Sequence, residues 1–220
     1  MRVLDLSHTI TAGMPVYPGT PPPVLQPSNT VERDGFGETL IRMGSHTGTH
    51  MDAPAHMVPG APTLDQFDAD RFVAPACVID VAGAGHEVVG RDVLEAHADL
   101  VAGCRFVLLH TGWARYWNDE RYLDHFPVLS KDAARWLTTR GLSGVGVDAI
   151  SVDPVARGVA ARFEGSEFAN HVEFFRAGLV LVENLTGLDA LLRRRFQFIC
   201  LPLKFERADG SPVRAAAVLE

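Results

Sequence analysis

The residues best suited to chemistry lie between positions 41 and 57, a segment that holds three of the nine histidines of the chain. Its imidazole and carboxylate groups are closely spaced: His46, His50, Asp52 and His56. Such groups are common ligands of divalent metal ions, and a carboxylate among histidines can bridge two ions. The spacing therefore predicts a metal site in this segment.

The backbone must bend within this segment if its histidines are to share an ion. At about 3.3 Å per residue, an extended strand would separate His46 from His50 by roughly 13 Å. Metal–nitrogen bonds of about 2.0–2.1 Å cannot span that separation. Gly48 tolerates the dihedral angles that a bend requires. His50 and Asp52, about 6–7 Å apart if extended, can share an ion without further bending.

Two other interpretations of the segment involve no metal. His46 and His50 are four residues apart and could lie on one face of a helix, but Gly48 and Pro54 disfavour a helix here. The segment could also be a polar loop in which histidines occur by chance, since motif matches carry a false-positive risk. The ligand spacing favours the metal site.

One loop provides too few ligands for two ions, so others are expected at the ends of more distant elements. His171 lies near the start of a predicted helix, and Glu183 ends the predicted strand that follows. These elements are about 10 and about 16 Å long, so a turn at Gly178 can bring their far ends together. His171 could instead be a cap or a surface residue. A carboxylate that ends a buried strand needs a partner, which a metal can supply.

Composition indicates a globular protein. The chain has 220 residues, enough for one sizeable core, and one domain over 1–220 is expected. The net charge of -7 and the absence of a basic stripe argue against a nucleic-acid partner. The first residues lack an apolar signal core and no run approaches the ~18 apolar residues of a membrane span, so a cytoplasmic protein without membrane contact is expected.

The three cysteines, Cys77, Cys104 and Cys200, are widely separated, and the sequence has no CxxC motif. This spacing indicates neither a disulfide framework nor a thiolate zinc site. All three lie in apolar stretches, which predicts buried thiols that pack as small hydrophobic residues.

The elements that must position the candidate ligands alternate between strands and helices in the middle of the chain. Strands are predicted over 3–9, 38–43, 74–81, 105–110, 144–148, 179–183, 196–205 and 213–219, and helices over 92–101, 131–140, 168–177 and 187–194. A proline-rich irregular arm covers 11–23, and 208–211 is predicted to be the turn between the last two strands. This order predicts an α/β protein with a mixed sheet.

The pattern His46-x-Gly48-Thr49-His50-x-Asp52-x-Pro54-x-His56 resembles the signature of the cyclase-like metal-dependent hydrolases, a family that includes bacterial kynurenine formamidase and isatin hydrolase. Residues 170–171 and 181–186 are similar to the second and third motifs of the family. Residues 201–204 and 209–214 are similar to its C-terminal part, so the resemblance covers nearly the whole chain. It implies a single α/β domain of the swivelling β/β/α type and a homodimer or homotetramer.

The resemblance also implies a role for individual residues. Two zinc ions would be held by five ligands: His46, His50, Asp52, His171 and Glu183. Asp52 would bridge the ions, Glu183 would contact both, and His56 would transfer protons instead of binding metal. The substrate would contact Tyr17, Trp113 and Ser151. Manganese is an alternative because oxygen and imidazole ligands suit both metals.

The expected reaction is hydrolysis of a small aromatic amide, with N-formylkynurenine as the first candidate and kynurenine and formate as products. Zinc lowers the pKa of a bound water from about 15.7 to about 7 and polarises a carbonyl, and His56 would pass the proton to the leaving nitrogen. Tyr17 stands where kynurenine formamidases carry a tryptophan.

Two alternatives to an arylformamidase stay open. A hydrolase that opens a cyclic amide or a lactone, as isatin hydrolase does, would use the same chemistry in a different pocket. A non-catalytic metal-binding or ligand-binding protein is the other alternative. Against it, His56 adds an acid–base group that a structural site does not need, and structural zinc is usually enclosed by thiolates and imidazoles. The lack of a Gly-x-Ser-x-Gly motif argues against a serine hydrolase.

Overall fold

Four parallel strands form the centre of the structure. The structure is a computed structural model, and it describes residues 1–84, 88–155 and 168–219. The strands in these ranges are β1 (Arg2–Asp5), β2 (Val24–Asn29), β3 (Glu38–Arg42), β4 (His50–Asp52), β5 (Val73–Asp80), β6 (Val88–Val89), β7 (Phe106–His110), β8 (Val128–Leu129), β9 (Gly144–Val147), β10 (Val180–Glu183), β11 (Arg195–Ile199), β12 (Gly210–Pro212) and β13 (Ala216–Leu219).

The helices in the same ranges are short. The α-helices are α1 (Val31–Asp34), α2 (Arg91–Glu95), α3 (Ala98–Val101), α4 (Lys131–Thr138) and α5 (Ala169–Arg176). Single turns of 3-10 helix occur at Pro54–His56, Leu64–Gln66, Ala69–Phe72, Ala82–Ala84, Trp113–Tyr116, Glu120–Leu123 and Leu188–Leu191.

Within the described residues, nine strands form one mixed sheet in the order β1-β13-β11-β5-β7-β9-β10-β4-β12. The neighbours β5, β7, β9 and β10 are parallel, and the strands on either side of them are antiparallel. Two smaller pairs, β2–β3 and β6–β8, lie outside this sheet. This architecture confirms the predicted α/β class with a mixed sheet.

Both faces of the central sheet are buried, which explains why residues 76–79 of β5 and 106–109 of β7 are apolar. On one face Cys77 and Ile79 of β5 belong to the core that contains Leu137 of α4 and Phe174 of α5. On the other face Val78 belongs to a second core, which the outer strands and the Leu188–Leu191 turn complete. Successive residues of a strand point to opposite faces, so one strand contributes to both cores.

Helix α4 begins where the sequence predicts. The Ser130 side chain accepts a hydrogen bond from the backbone N–H of Ala133, which caps the first turn. The buried side of the helix carries Trp136 and Leu137. Helix α5 and strand β10 also lie within one or two residues of their predicted limits. The elements expected to carry His171 and Glu183 are therefore present.

Several predicted elements differ in the structure. The strands predicted over 3–9 and 213–219 are shorter, at Arg2–Asp5 and Ala216–Leu219. The predicted helix over 92–101 is divided into α2 and α3 because His97, at φ -108 and ψ 16, leaves the helical conformation. The predicted helix over 187–194 is only the 3-10 turn Leu188–Leu191, and the strand predicted over 196–205 ends at Ile199. The strand predicted over 38–43 pairs in a hairpin with β2, a strand that was not predicted from the sequence.

The segment predicted as a turn over 208–211 is instead the start of an edge strand. Strand β12 pairs antiparallel with β4, with Gly210 opposite Asp52. The backbone carbonyls of Ala208 and Asp209 accept hydrogen bonds from Leu64 and Ala53, which hold the segment extended. The turn prediction was wrong because these distant partners outweigh the local turn preference of Asp-Gly-Ser.

Two further sequence expectations concern cysteines and membranes. Cys77, Cys104 and Cys200 are free and buried, which confirms the prediction of buried thiols. None of the helices in the described ranges combines the length and the apolar character that crossing a membrane requires.

Candidate metal centre

The five predicted ligands converge beside the ends of β4 and β10. The antiparallel register of these strands places His50 opposite Glu183. Asp52 lies two residues after His50, and its side chain therefore points to the same face. His171 is in the first turns of α5, the helix that precedes β10. The structure thus brings together side chains that are more than 130 positions apart.

Gly48 produces the bend that the segment requires. Its φ of +68° lies in the left-handed region, which a residue with a side chain rarely adopts. A Cβ atom here would lie 3.1 Å from the side chain of Ile10. Because of the bend, the His46 side chain lies beside the Asp52 carboxylate of β4, with His46 Nδ1 2.6 Å from Asp52 Oδ1.

Two groups of three possible ligands share the Asp52 carboxylate. One consists of His46, His50 and Asp52, and the other of Asp52, His171 and Glu183; in each, the donor atoms lie within 4.8 Å of one another. Asp52 Oδ1 lies 3.2 Å from His50 Nε2, and Asp52 Oδ2 lies 3.9 Å from His171 Nε2. One oxygen of this carboxylate therefore lies near a histidine of the first group and the other oxygen near the histidine of the second, as expected of a bridging ligand.

Glu183 also faces both groups. Its Oε2 atom lies 3.5 Å from His50 Nε2, and its Oε1 atom lies 3.3 Å from His171 Nε2. Oε1 is buried and has no hydrogen-bond partner among the described residues. Burial and the neighbouring Asp52 raise the pKa of Glu183, while His171 and His50 act against this rise. A buried carboxylate oxygen without a hydrogen bond is unfavourable, and a cation at this position would satisfy it.

Carboxylates around the cluster make two of its histidines strongly basic. Burial by itself would lower the pKa of His46, but Asp52 and Asp209 raise it to about 10. In the same way, Asp153 and Glu183 outweigh burial and raise the pKa of His171 to about 10. The same carboxylate charges that favour protonation of these two histidines also attract a divalent metal ion. A metal ion must therefore compete with protons for the histidine nitrogens.

Hydrogen bonds to the outer nitrogens orient two of the histidines. His50 Nδ1 lies 2.8 Å from the backbone carbonyl of Gly48, which can only accept, so Nε2 is free to bind a metal. Asp153 Oδ2 accepts from His171 Nδ1 at 2.7 Å and from the His171 backbone N–H at 3.0 Å. Metal-binding histidines commonly donate their second N–H to a carbonyl or carboxylate in this way. The donor set and its orientation support a divalent metal ion.

Asn184 joins the bend to the core and was not predicted from sequence. Its Nδ2 group donates to the same Gly48 carbonyl at 2.8 Å, and its Oδ1 atom accepts from the Tyr122 hydroxyl at 2.8 Å. Its φ of +57° is unusual for a residue other than glycine. The sequence signal that was available is its position directly after Glu183.

His56 lies beside the ligand groups, at the end of the 3-10 turn Pro54–His56. Its ring is 3.9 Å from that of His46, centroid to centroid, and it faces the cavity. Burial lowers the pKa of His56 to about 4; Asp52 opposes the effect, and His46 and His171 add to it. The imidazole at this position is therefore uncharged at neutral pH.

A cavity of about 580 Å³ opens above the metal-ligand groups. This volume is in the range of about 300–1,000 Å³ that small-molecule sites occupy. The proline-rich arm provides one wall through residues 15–20, and Phe168 lies 6.3 Å from the Tyr17 ring. Ser151 also lines the cavity, so two of the three predicted substrate contacts are placed there.

The structure does not place Trp113, the third predicted substrate contact, in this cavity. Gly112, at φ +72, changes the direction of the chain after β7. The Trp113 indole N–H donates a hydrogen bond to the backbone carbonyl of Arg121 at 3.3 Å. The Trp113 ring packs against Tyr116 at 4.9 Å in a separate depression. The family resemblance implied this contact, but it did not fix the direction of the Trp113 side chain.

Comparisons with known proteins agree with this geometry. The Cyclase family profile matches residues 4–154. A kynurenine formamidase of Bacillus cereus is 32% identical over 213 residues, covering 96% of this chain and 95% of the relative. Isatin hydrolase A from Ralstonia solanacearum has a TM-score of 0.88 at 27% identity, over 100% of this chain and 92% of that one. A Bacillus stearothermophilus protein described as a predicted metal-dependent hydrolase has a TM-score of 0.75 at 30% identity, over 98% and 97% of the two chains.

Proposed function

The chain belongs to the Cyclase family, and on this premise we propose that it is a metal-dependent hydrolase of a small aromatic amide, of the arylformamidase type. One observation carries the proposal. Two groups of possible metal ligands, buried except for the half-buried His46, share Asp52 in the lining of a cavity, and His56 lines the same cavity. This arrangement combines a place for metal with a group that can move protons.

The two ligand groups suit two divalent ions, with zinc as the first choice and manganese as the second. His46, His50 and Asp52 would hold one ion, and Asp52, His171 and Glu183 the other. When bound, such ions lower the pKa of water toward neutrality and polarise a carbonyl oxygen. The chain's own contribution is to hold the ligands at fixed positions through Gly48, Asp153 and Asn184.

His56 is the proposed acid–base group. It would take a proton from the attacking water and deliver it to the leaving nitrogen as the carbon–nitrogen bond breaks. For an N-formyl arylamine, the oxygen of water is retained in formate, and the nitrogen leaves as the free aromatic amine. The balance requires no serine nucleophile and no further co-reactant.

The cavity wall supports an aromatic substrate. The rings of Tyr17 and Phe168 line the cavity, and an aryl group can pack against such rings. The kynurenine formamidase relatives favour N-formylkynurenine as the first candidate. The similarity to isatin hydrolase A favours ring opening of a cyclic amide as the second candidate. Both reactions break a carbonyl carbon–nitrogen bond beside an aromatic ring.

A substrate panel tests this proposal. The protein loaded with zinc, and separately with manganese, is assayed on N-formylkynurenine, isatin and an aromatic lactone. We expect the formamide to be hydrolysed most rapidly, with EDTA abolishing turnover and added metal restoring it. Faster turnover of isatin would replace the first candidate by the second. A protein that binds metal in stoichiometric amounts and hydrolyses none of them would be a non-catalytic binding protein.

Association between copies of this chain is a further part of the proposal. The hairpin β2–β3 lies outside the main sheet, and its strand residues are largely exposed. Two-stranded hairpins are marginally stable by themselves, so an apolar partner surface would stabilise this one. We propose that a second copy provides that surface in a homodimer, which could assemble further into a homotetramer.

A further inference from the structure

Asp209 is outside the predicted ligand set, but its carboxylate contacts the outer side of the metal centre. Asp209 Oδ2 lies 3.1 Å from His46 Nε2 and 3.8 Å from His56 Nδ1. We propose that Asp209 is a positioning residue, which holds the His46 ring with its Nδ1 atom directed at the metal. The inference rests on the proposed function, because it requires His46 to be a ligand.

The two nitrogens of His46 face different carboxylates. Nδ1 lies 2.6 Å from Asp52 Oδ1, inside the ligand group, and Nε2 faces Asp209 on the solvent side. An imidazole binds a metal through one nitrogen and can donate a hydrogen bond from the other. The geometry assigns Nδ1 to the metal and leaves the Nε2 proton for Asp209.

Each of the three histidine ligands then has its own acceptor for the second N–H group. The Gly48 carbonyl serves His50, and the Asp153 carboxylate serves His171. His46 lies before the bend and outside any strand, so backbone pairing does not fix its ring. Asp209 is the group that completes the pattern.

Gly210 provides an independent sign that this segment is shaped around His46. A Cβ atom on Gly210 would lie 2.5 Å from Cε1 of the His46 ring and 2.9 Å from each ring nitrogen. The imidazole therefore lies directly against the Gly210 backbone. Because Gly210 pairs with Asp52 across β12 and β4, the same register that seats the ring also places Asp209 at its outer nitrogen.

A different role for Asp209 would be direct metal binding. His46, His56 and Asp209 also have donor atoms within 4.8 Å of one another. A positioning role changes how tightly the metal binds at the inner site, whereas a ligand role changes how many ions bind. Stoichiometry and affinity together distinguish the two roles.

The experiment measures zinc binding by competition with a chromophoric chelator, and records the visible absorption spectrum of the cobalt-loaded protein. The variants are Asp209→Ala, Asp209→Asn and Gly210→Ala. Glu206→Ala is the matched control, because it removes a negative charge from the same segment at a side chain that is 84% exposed. Melting curves of the metal-free proteins show whether each variant is folded.

We expect Asp209→Ala to weaken zinc binding by about 10–100-fold and to change the cobalt spectrum, as loss of the hydrogen-bond partner of a metal ligand does. Asp209→Asn should recover part of the affinity, since its side-chain carbonyl can still accept from Nε2. Gly210→Ala should weaken binding because it displaces the ring. Glu206→Ala should match the wild type. If Asp209→Ala is unfolded, Asp209→Asn and Gly210→Ala still test the proposal.

Wild-type affinity and an unchanged cobalt spectrum in a folded Asp209→Ala protein would overturn the positioning role. Loss of one ion per chain, with the remaining sites at wild-type affinity, would overturn it in favour of a ligand role. A wild-type protein that binds no metal would overturn both this inference and the proposed function. Tight binding without hydrolysis counts against the proposed function alone, and the affinity ratio would still decide the role of Asp209.

Discussion

At the scale of single residues, the four site histidines fall into two classes, according to whether the ring nitrogen outside the ligand group has a hydrogen-bond acceptor. His46, His50 and His171 each have an acceptor at the nitrogen that faces away from the ligand group. His56 lies 3.8 Å from Asp209, which is beyond hydrogen-bond distance. A histidine that must gain and lose a proton in each turnover benefits from this freedom, whereas a ligand benefits from a fixed ring.

The first prediction concerns the acid–base role of His56. His56→Ala should retain wild-type zinc stoichiometry and lower kcat by about 10²–10⁴-fold, the range that general acid–base catalysis contributes. Zinc titration and steady-state kinetics on the preferred substrate measure the two effects. His50→Ala is the matched control and should lose metal as well as activity. Unchanged kcat in His56→Ala would remove His56 from the mechanism.

The second prediction concerns a histidine outside the site. His8 stacks on Trp117 with ring centroids 4.0 Å apart, and within the part of the chain that the structure describes its buried Nε2 atom has no hydrogen-bond partner. Burial lowers its pKa from 6.5 to about 4. Because the folded pKa is below the unfolded one, the stabilisation is complete above about pH 6.5 and is lost as the pH falls toward 4.

His8→Phe preserves an aromatic stack and removes this titration. Between about pH 7.5 and about pH 5, the wild type should lose roughly 1 kcal/mol more unfolding free energy than the variant, a value reduced for partial exposure. Urea unfolding in EDTA measures the difference. The titration of the metal-ligand residues contributes equally in the two proteins and therefore cancels. Equal losses would show that His8 titrates alike in the folded and unfolded chain.

The site residues that were predicted from the sequence lie close together in the chain, whereas those that were missed are isolated in it. His46, His50 and Asp52 occur in one dense pattern, so a metal site could be predicted from them without a fold. Asp153 and Asp209 contact His171 and His46, which lie 18 and 163 positions away in the chain. An isolated aspartate has no local pattern, and only the sheet register shows which ring it meets.

At the scale of elements, the bend at Gly48 determines whether the histidine segment can form a site. The bend was predictable because a straight strand would keep its histidines too far apart to share an ion. The edge strand β12 was not, because Asp-Gly-Ser favours a turn locally and its extended form depends on pairing with β4. Interruption of the predicted helix at His97 likewise has no strong sequence signal.

The third prediction tests the bend. Gly48→Ala places a side chain at φ +68 and 3.1 Å from Ile10, so it should destabilise the fold by about 1–2 kcal/mol and weaken zinc binding. Gly60→Ala is the control, since Gly60 has φ +76 but no atom of residues 1–84, 88–155 or 168–219 lies within 4 Å of the added Cβ. It should show a similar backbone penalty with wild-type zinc affinity. Equal zinc affinity in the two variants would contradict the role of the bend.

At the scale of the whole molecule, the site lies where the parallel and antiparallel parts of the sheet meet. Strand β10 is parallel to β9 on one side and antiparallel to β4 on the other. Ligand sites in α/β sheets commonly form at the carboxyl ends of parallel strands, and Glu183 is the last residue of β10. The antiparallel addition of β4 brings the histidine segment to that edge, which the order of predicted elements did not indicate.

The final prediction concerns association through the hairpin β2–β3. Leu25 and Ile41 lie directly opposite each other in its register, and their exposed fractions are 38% and 56%. A cross-strand apolar pair on an exposed ribbon is a suitable centre for contact with a second copy. Ile41→Lys would place a charge there, which is unfavourable in a buried interface.

We expect light scattering after size-exclusion chromatography to give a dimeric or tetrameric mass for the wild type and a lower mass for Ile41→Lys. Val88→Lys is the control, because Val88 is similarly exposed at 52% but lies on β6, away from the hairpin. Its mass should equal that of the wild type. A monomeric wild type at micromolar concentration would exclude stable association, and an Ile41→Lys protein of wild-type mass would move the interface to another surface.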